Sequence, residues 1–405
     1  MTLHLARPRP TALVVGDLSL VRALGKSGIP VALAHSAPSS ATRSRYLSDV
    51  VAVRDVVDDP NGCVDDVIAW ARRQPVAPVI FCQGDHDLLA FSRRRDDVSK
   101  VARLPLPPAQ LVEDLVDKVR FAQLAQRTSL PTPTTTTLMP GPLLAAQAAA
   151  FTSFPAVLKP AVRSGWERSP LNDADPGSKA ARIESREALL KKMSQLEAFN
   201  QPLLLQQAID GGEDRIVSYH AFVDDDGVLR AEFTGKKVRT SPRRYGHSTF
   251  VEITDEADVR ALGRSVCKAI GFTGVLKMDL KRDPQDRLWL LEINPRFSLW
   301  HHAATVAGAA IPALVYDRCV GRGRAAGAAS DLVVARKGVR WMSARSDLHA
   351  FAEHKDHGEV SLLSWLLDVA SADVNEDFSF SDPLPALIEL RGIATRRMRR
   401  LLTLE

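Results

Sequence analysis

An α/β fold with an α+β region in its second half is what this sequence predicts, and three observations carry that reading. Over residues 11–110, short apolar strands alternate with amphipathic helices, the pattern of βαβ units on a parallel sheet. Beyond residue 201, alternating strands are joined by short turns such as DDDG (224–227) and DPQD (283–286), the mark of hairpins. Finally, 405 residues, 45% hydrophobic and 25% charged, suffice for roughly two to three domains, each with its own core.

Taken in order, TALVVG (11–16) is a strand, SLVRALGKSG (19–28) a helix, and IPVALAHS and YLSDVVAV are two further strands. VDDVIAWARRQ is a helix and PVIFCQG (78–84) a strand. Ligands of such sheets sit at the carboxyl ends of the strands, so Gln83 and Asp85 are candidates for substrate contact, with a helix cap made by Asp85 as the alternative. The first turn offers only Gly16 where a G-x-G-x-x-G run is needed, which argues against NAD or FAD. LVDKVRFAQLAQRTSL (115–130) is a helix carrying Lys118 near its start, the Thr/Pro run 131–137 is a connector, and GPLLAAQAAAF is another helix. Ala156, Val157 and Leu158 then form an apolar strand ending in Lys159, stopped by Pro160. A lysine at the edge of a buried strand is costly without an anion beside it, and phosphate is the natural one. The polar loop that follows, through Lys179, is long enough to be functional.

The strand LLLQQAI (203–209) leads into Asp210, Gly211, Gly212 and Glu213. Its backbone edge from Gln206 through Gln207 and Ala208 to Ile209 suits an adenine ring, and Glu213 suits ribose hydroxyls. RIVSYHAFV and LRAEFTGKKV form a hairpin, after which Lys236, Lys237, Arg239 and Arg243 return positive charge to the same region. In VLKMDLK (275–281), Leu276, Met278 and Leu280 share one face while Lys277 and Asp279 share the other. The next strand ends LLEINPR, with Glu292 and Asn294 on one face and Pro295 ending the ladder. Asp279, Glu292 and Asn294 are all hard oxygen donors, the set that suits magnesium. The C-terminal part reads as a strand pair in VVARKGVRWMS (333–343), helices in DLHAFAEH and SLLSWLLDVA, and a basic terminal helix, PALIELRGIATRRMRRLL. It either closes the site or forms a homodimer contact.

Composition narrows the partners. A net charge of +5, with 53 basic and 48 acidic residues interleaved, gives no stripe for nucleic acid. The four cysteines form no C-x-x-C pair, which argues against a disulfide framework or zinc cage. No segment suits a signal peptide or membrane span, so a cytoplasmic location with no membrane partner is expected.

The series Lys118, Lys159, a polar loop, Gln206 with Glu213, then Asp279, Glu292 and Asn294 resembles the ATP-grasp superfamily. The wording LKPA, EFTGKKVRTSP, LKRD and INPR is most similar to its carboxylate–amine ligase-like group, which includes D-aspartate ligase. The likeness runs from about Ala12 to Gly321. It implies an ATP-grasp fold with a Rossmann-like N-terminal domain over 1–112, a small ATP-grasp subdomain over 113–205, a larger one with the metal site over 206–325, and an extension over 326–405. It further implies ATP held by Lys118, Lys159, Lys179, Gln206, Gln207, Ala208, Ile209, Glu213 and Lys237. Two magnesium ions, or manganese, would sit on Asp279, Glu292 and Asn294. Lys277, with Arg296 and Arg239, would carry catalysis, and Gln83, Asp85, Arg243, His247 and Trp300 are candidates for the substrate side.

The activity so implied is an ATP-dependent ligase. A small-molecule carboxylate attacks the γ-phosphate to give an acyl phosphate, and an amine then displaces phosphate to form an amide. The alternatives are a kinase acting on a hydroxyl and a non-catalytic nucleotide-binding protein.

Overall fold

The computed structural model describes residues 9–161, 171, 180–322 and 332–402. Arg163, Ser164 and Lys179, in the polar loop after Lys159, lie outside them. Three sheets organise the described chain.

The first sheet is parallel, with strands β1 (Ala12–Val15), β2 (Val31–His35), β3 (Leu47–Ala52) and β4 (Val79–Cys82) in the order β3-β2-β1-β4. β1 and β4 are buried along their whole length, as expected of strands covered on both faces. Asp17 caps the helix Leu18–Lys26 by accepting from the Ser19 amide, which fixes where β1 stops and the helix begins.

The second sheet is small and antiparallel, with β5 (Thr135–Leu138), β6 (Ala156–Pro160), β7 (Ala181–Ile183) and β8 (Leu203–Gln207) ordered β5-β8-β6-β7. Pro160 is the last residue of β6, paired with Leu203; the strand ends on it rather than before it. The expected helix around Lys118 is two helices, Ala109–Val116 and Lys118–Arg127. Asp117 separates them, accepting from the amides of Val119 and Arg120, so Lys118 is the first residue of the second.

The third sheet comprises β9 (Ile216–Val223), β10 (Leu229–Ser241), β11 (His247–Thr254), β12 (Gly274–Arg282), β13 (Leu288–Asn294), β14 (Val333–Val334), β15 (Arg340–Met342) and β16 (Val374–Asn375). Its order is β13-β12-β9-β10-β11-β15-β16, with β14 beside β10. One face packs Tyr219, Leu276, Met278, Leu280, Leu290 and Ile293 against Val259, Val266 and Cys267 of the helix Ala257–Ala269. The other carries the charged residues of the site. The 333–343 segment does not form the strand pair its sequence suggests: β14 joins β10 and β15 joins β11. The C-terminal stretch is therefore woven into this sheet. It is also tied to the first: buried Asp382 binds Arg22 at 3.1 Å, Ser44 at 2.8 Å and the Arg45 amide at 2.9 Å. Among the described residues, no helix is long and apolar enough to cross a membrane.

Candidate nucleotide and metal site

Strands β12 and β13 build the centre. Their ladder pairs Lys277 with Asn294 and Asp279 with Glu292, then shifts so that Leu280 faces Leu290. Leu291 is thus the extra residue of a bulge. A strict period of two would place Leu290 and Glu292 on one face, yet Leu290 is fully buried in the core while Glu292 is exposed. The bulge absorbs one residue, keeps Leu290 and Ile293 inside, and turns Leu291, Glu292 and Asn294 toward the site.

Asp279 is buried and lies 2.8 Å from the Lys277 ammonium and 3.6 Å from that of Lys237, and it accepts from the Ser218 hydroxyl at 2.6 Å. Burial alone would raise its pKa, but the two ammonium groups and the hydroxyl outweigh it and hold the carboxyl well below the usual range. Burial is also the largest influence on both lysines. For Lys237 the charges of Asp279, Glu292 and Glu213 overcome it and the pKa rises. For Lys277 the positive charge of Lys237 adds to burial and the pKa falls. Asn294 donates to Glu292 at 3.2 Å.

Across from this cluster, Lys159 donates to the Gln206 side chain at 2.7 Å, and Gln206 is held in turn by Thr135 at 3.0 Å. Burial pushes the Lys159 ammonium down to about 8, with Lys118 acting in the same sense and Glu292 and Glu213 opposing. Lys118 donates to the Pro160 carbonyl at 2.9 Å. A cavity of about 390 Å³ is lined by Lys118, Lys159, Gln206, Leu291, Glu292 and Asn294. A second, of about 760 Å³, is lined by Arg182, Glu213, Lys237, Tyr245, Lys281 and His354. Both fall in the ~300–1,000 Å³ range of small-molecule sites; Lys159 and Glu292 face the first and Lys237 the second.

The donor set of Asp279, Glu292 and Asn294 fits a hard divalent cation: two carboxylates and one carboxamide on paired, opposing positions, all oxygen. Among the described residues no three His, Cys, Asp or Glu side chains gather as a metal cage.

Several expected residues prove to have other partners. Arg239 is buried, with Nε and Nη2 on Asp347 (3.1 and 2.9 Å) and Nη1 on Asp368 (2.6 Å), so its guanidinium ties the sheet to the C-terminal helices at the wall of the second cavity. Gln83 accepts from the Asp17 amide at 2.9 Å and packs against Gly16. Asp85 is not the cap of its helix: Gly84 is, with the Asp87 carboxylate accepting from its amide at 2.9 Å. Asp85 is instead bound to Arg296, which links the first sheet to the strand end that carries the site. Trp300 is buried in the core against Gly235, with the Lys277 ammonium 5.5 Å from its ring. Arg243 lines the second cavity and binds Glu359 at 2.9 Å, and His247 is exposed where β11 begins. Gln207 and Ala208 give their amides to Thr134 and Pro155, both at 2.8 Å; a base lying along this segment would be read through Ile209 or through carbonyl oxygens.

Four contributors escaped the sequence reading: Ser218 on Asp279, Thr135 on Gln206, Leu291 in the bulge, and Tyr245 in the second cavity. Ser218 was within reach, since alternation along RIVSYHAFV puts it on the face of His220. Only the pairing of β9 with β12 sets it opposite Asp279.

The arrangement of these sheets is an ATP-grasp fold. Biotin carboxylase from Campylobacter jejuni matches with a TM-score of 0.60 at 16% identity, covering 82% of this chain and 74% of that one. L-amino acid ligase from Bacillus licheniformis matches at 0.58 and 15%, covering 77% and 74%. Residues 228–343 match the family described as ATP-grasp in the biosynthetic pathway with Ter operon. In sequence, the chain is similar to D-alanine–D-alanine ligase of Ectopseudomonas mendocina, 26% identical over 218 residues, 51% of this chain and 63% of the relative. It is equally similar to D-aspartate ligase of Enterococcus faecium, 26% identical over 222 residues, 53% of this chain and 52% of the relative. The resemblance to ATP-grasp carboxylate–amine ligases therefore holds, over about half to just under two thirds of those relatives' length.

Proposed function

We propose that this protein is an ATP-dependent ligase that joins a small-molecule carboxylate to an amine through an acyl phosphate, with release of ADP and phosphate. The observation that carries the reading is the pairing of Asp279 with Glu292 and of Lys277 with Asn294 on one face of β12 and β13, within reach of the charge of Lys159 and Lys237. That face concentrates cations where a triphosphate would lie and oxygen donors where its counter-ions would lie. The ligase relatives favour the same reading.

In this account Lys118, Lys159 and Lys237 take the phosphates, Gln206 to Ile209 line the base, and Glu213 takes the ribose. Asp279, Glu292 and Asn294 would hold two magnesium ions, or manganese, which when bound draw charge off the phosphate oxygens. The carboxylate lies in line with the γ-phosphate, and Lys237 and Lys277 neutralise charge that spreads over the transferring group. After the acyl phosphate forms, the amine attacks its carbonyl. Lys277 and Arg296 would stabilise the oxyanion, and Asp85 holds the Arg296 guanidinium in position. Arg243, His247 and Trp300 remain the substrate-side candidates, with Trp300 acting through its contact with Lys277 rather than as an exposed surface.

Hydroxylamine tests the intermediate. Incubation with MgATP, hydroxylamine and a panel of amino and dicarboxylic acids should yield the hydroxamate of the true acid. ADP release on a hydroxyl substrate, with no hydroxamate from any acid that supports turnover, would identify a kinase instead.

A further inference from the structure

The turn between β10 and β11 reaches the base side of the proposed nucleotide cleft. Tyr245 packs against Val157, Ala180 and Ala208. Val157 lies two residues before Lys159 in β6 and so shares its face, and Ala208 belongs to the segment proposed to line the base. The Arg182 guanidinium hydrogen-bonds the phenol oxygen. The ring thus lies against the wall that a purine would use.

The turn is held under tension. Tyr245 has φ of 57°, a left-handed conformation costly for an aromatic residue. Gly246 behind it leaves no space for a Cβ, which would lie 2.0 Å from the Pro242 carbonyl oxygen. Such a backbone persists only where its surroundings hold it, and the packing of the tyrosine ring is one of the contacts that do so here. The same turn is fastened to the C-terminal stretch: the Arg243 amide donates to Glu353 at 2.8 Å, its guanidinium binds Glu359 at 2.9 Å, and His354 lies 2.7 Å from Glu359.

We propose that Tyr245 is a plug displaced by nucleotide. In the free chain its ring occupies the base side of the cleft; a purine nucleoside di- or triphosphate competes with it, and its withdrawal loosens Arg243 from Glu353 and Glu359. This rests on the nucleotide site proposed above. A competing ring lowers the apparent affinity by the fraction of molecules in which it is seated, so removing the ring tightens binding. The displaced turn carries the signal to the C-terminal helices, which gives that stretch a part in sensing occupancy.

Calorimetric titration of MgADP into the wild-type chain, Tyr245→Phe and Tyr245→Ala is the test. Tyr245→Ala should bind about tenfold more tightly, and Tyr245→Phe, which keeps the ring, should stay near wild type. Weaker binding by Tyr245→Ala would mean that the ring stacks on the base, and unchanged binding that it lies outside the cleft; either overturns the plug. If neither the wild type nor Tyr245→Ala binds MgADP, the nucleotide site itself fails and the plug with it. Hydrogen exchange on the wild type needs no variant to fold: saturating MgADP should speed exchange over 241–247 and 353–360, and protection of 241–247 would overturn the proposal.

Discussion

At the scale of single residues, one lysine holds a measurable consequence. Burial brings the Lys159 ammonium to about 8 in the free chain, so above that pH the site must take up a proton before it can hold phosphate as a cation. ADP affinity should be full below pH 8 and fall as pH rises through it, by up to tenfold per unit. Lys159→Arg, whose guanidinium stays charged, should flatten the profile; a flat wild-type profile between pH 7 and 9.5 would remove Lys159 from the phosphates. Lys159 stands out in the sequence because a charged residue at the end of an apolar strand is costly without a partner. For Arg239 the sequence shows the charge but not its partners. Its partners, Asp347 and Asp368, lie 108 and 129 residues away, and nothing local to KKVRTS announces them.

At the scale of elements, the bulge in β13 shows how the stretch LLEINPR presents its polar side chains. That Glu292 and Asn294 share a face was legible from their spacing. The bulge was not, because it arises from the pairing with β12, where Asp279 faces Glu292 while Leu280 faces Leu290. Leu291 adds an apolar wall to the cavity and is left without a partner in β12. Its deletion should leave a regular alternation, with Leu290 inside and Glu292 outside. We therefore expect a melting temperature near wild type and ADP affinity weaker by about tenfold, the order of one apolar side chain lost from a binding wall. A large fall in melting temperature with unchanged ADP affinity would contradict this. The helix break at Asp117 was likewise hidden, since LVDKVR has unbroken helical periodicity and only the side-chain cap on Val119 and Arg120 reveals it.

At the scale of the molecule, the parallel first sheet and the β9–β10 and β12–β13 hairpins follow from local sequence, whereas the path after residue 331 does not. β14, β15 and β16 are two or three residues long, too short to carry a pattern, and they are strands because β10, β11 and then β15 itself offer edges. The chain is closed by the Arg22–Asp382 pair, both side chains fully buried. Removing one partner strands the other charge, so Asp382→Ala should cost about 3–5 kcal/mol of stability, read as a lower denaturant midpoint; a loss below about 1 kcal/mol would show that the closure is not structural. The central claim, that one site couples ATP cleavage to the joining of an acid and an amine, is tested most directly by ADP release. It should be measured across paired acids and amines, in the wild type and in Glu292→Gln. Sustained release should require both partners in the wild type and be lost in Glu292→Gln with the fold intact. Turnover on a single partner, or full turnover in the variant, would contradict the account.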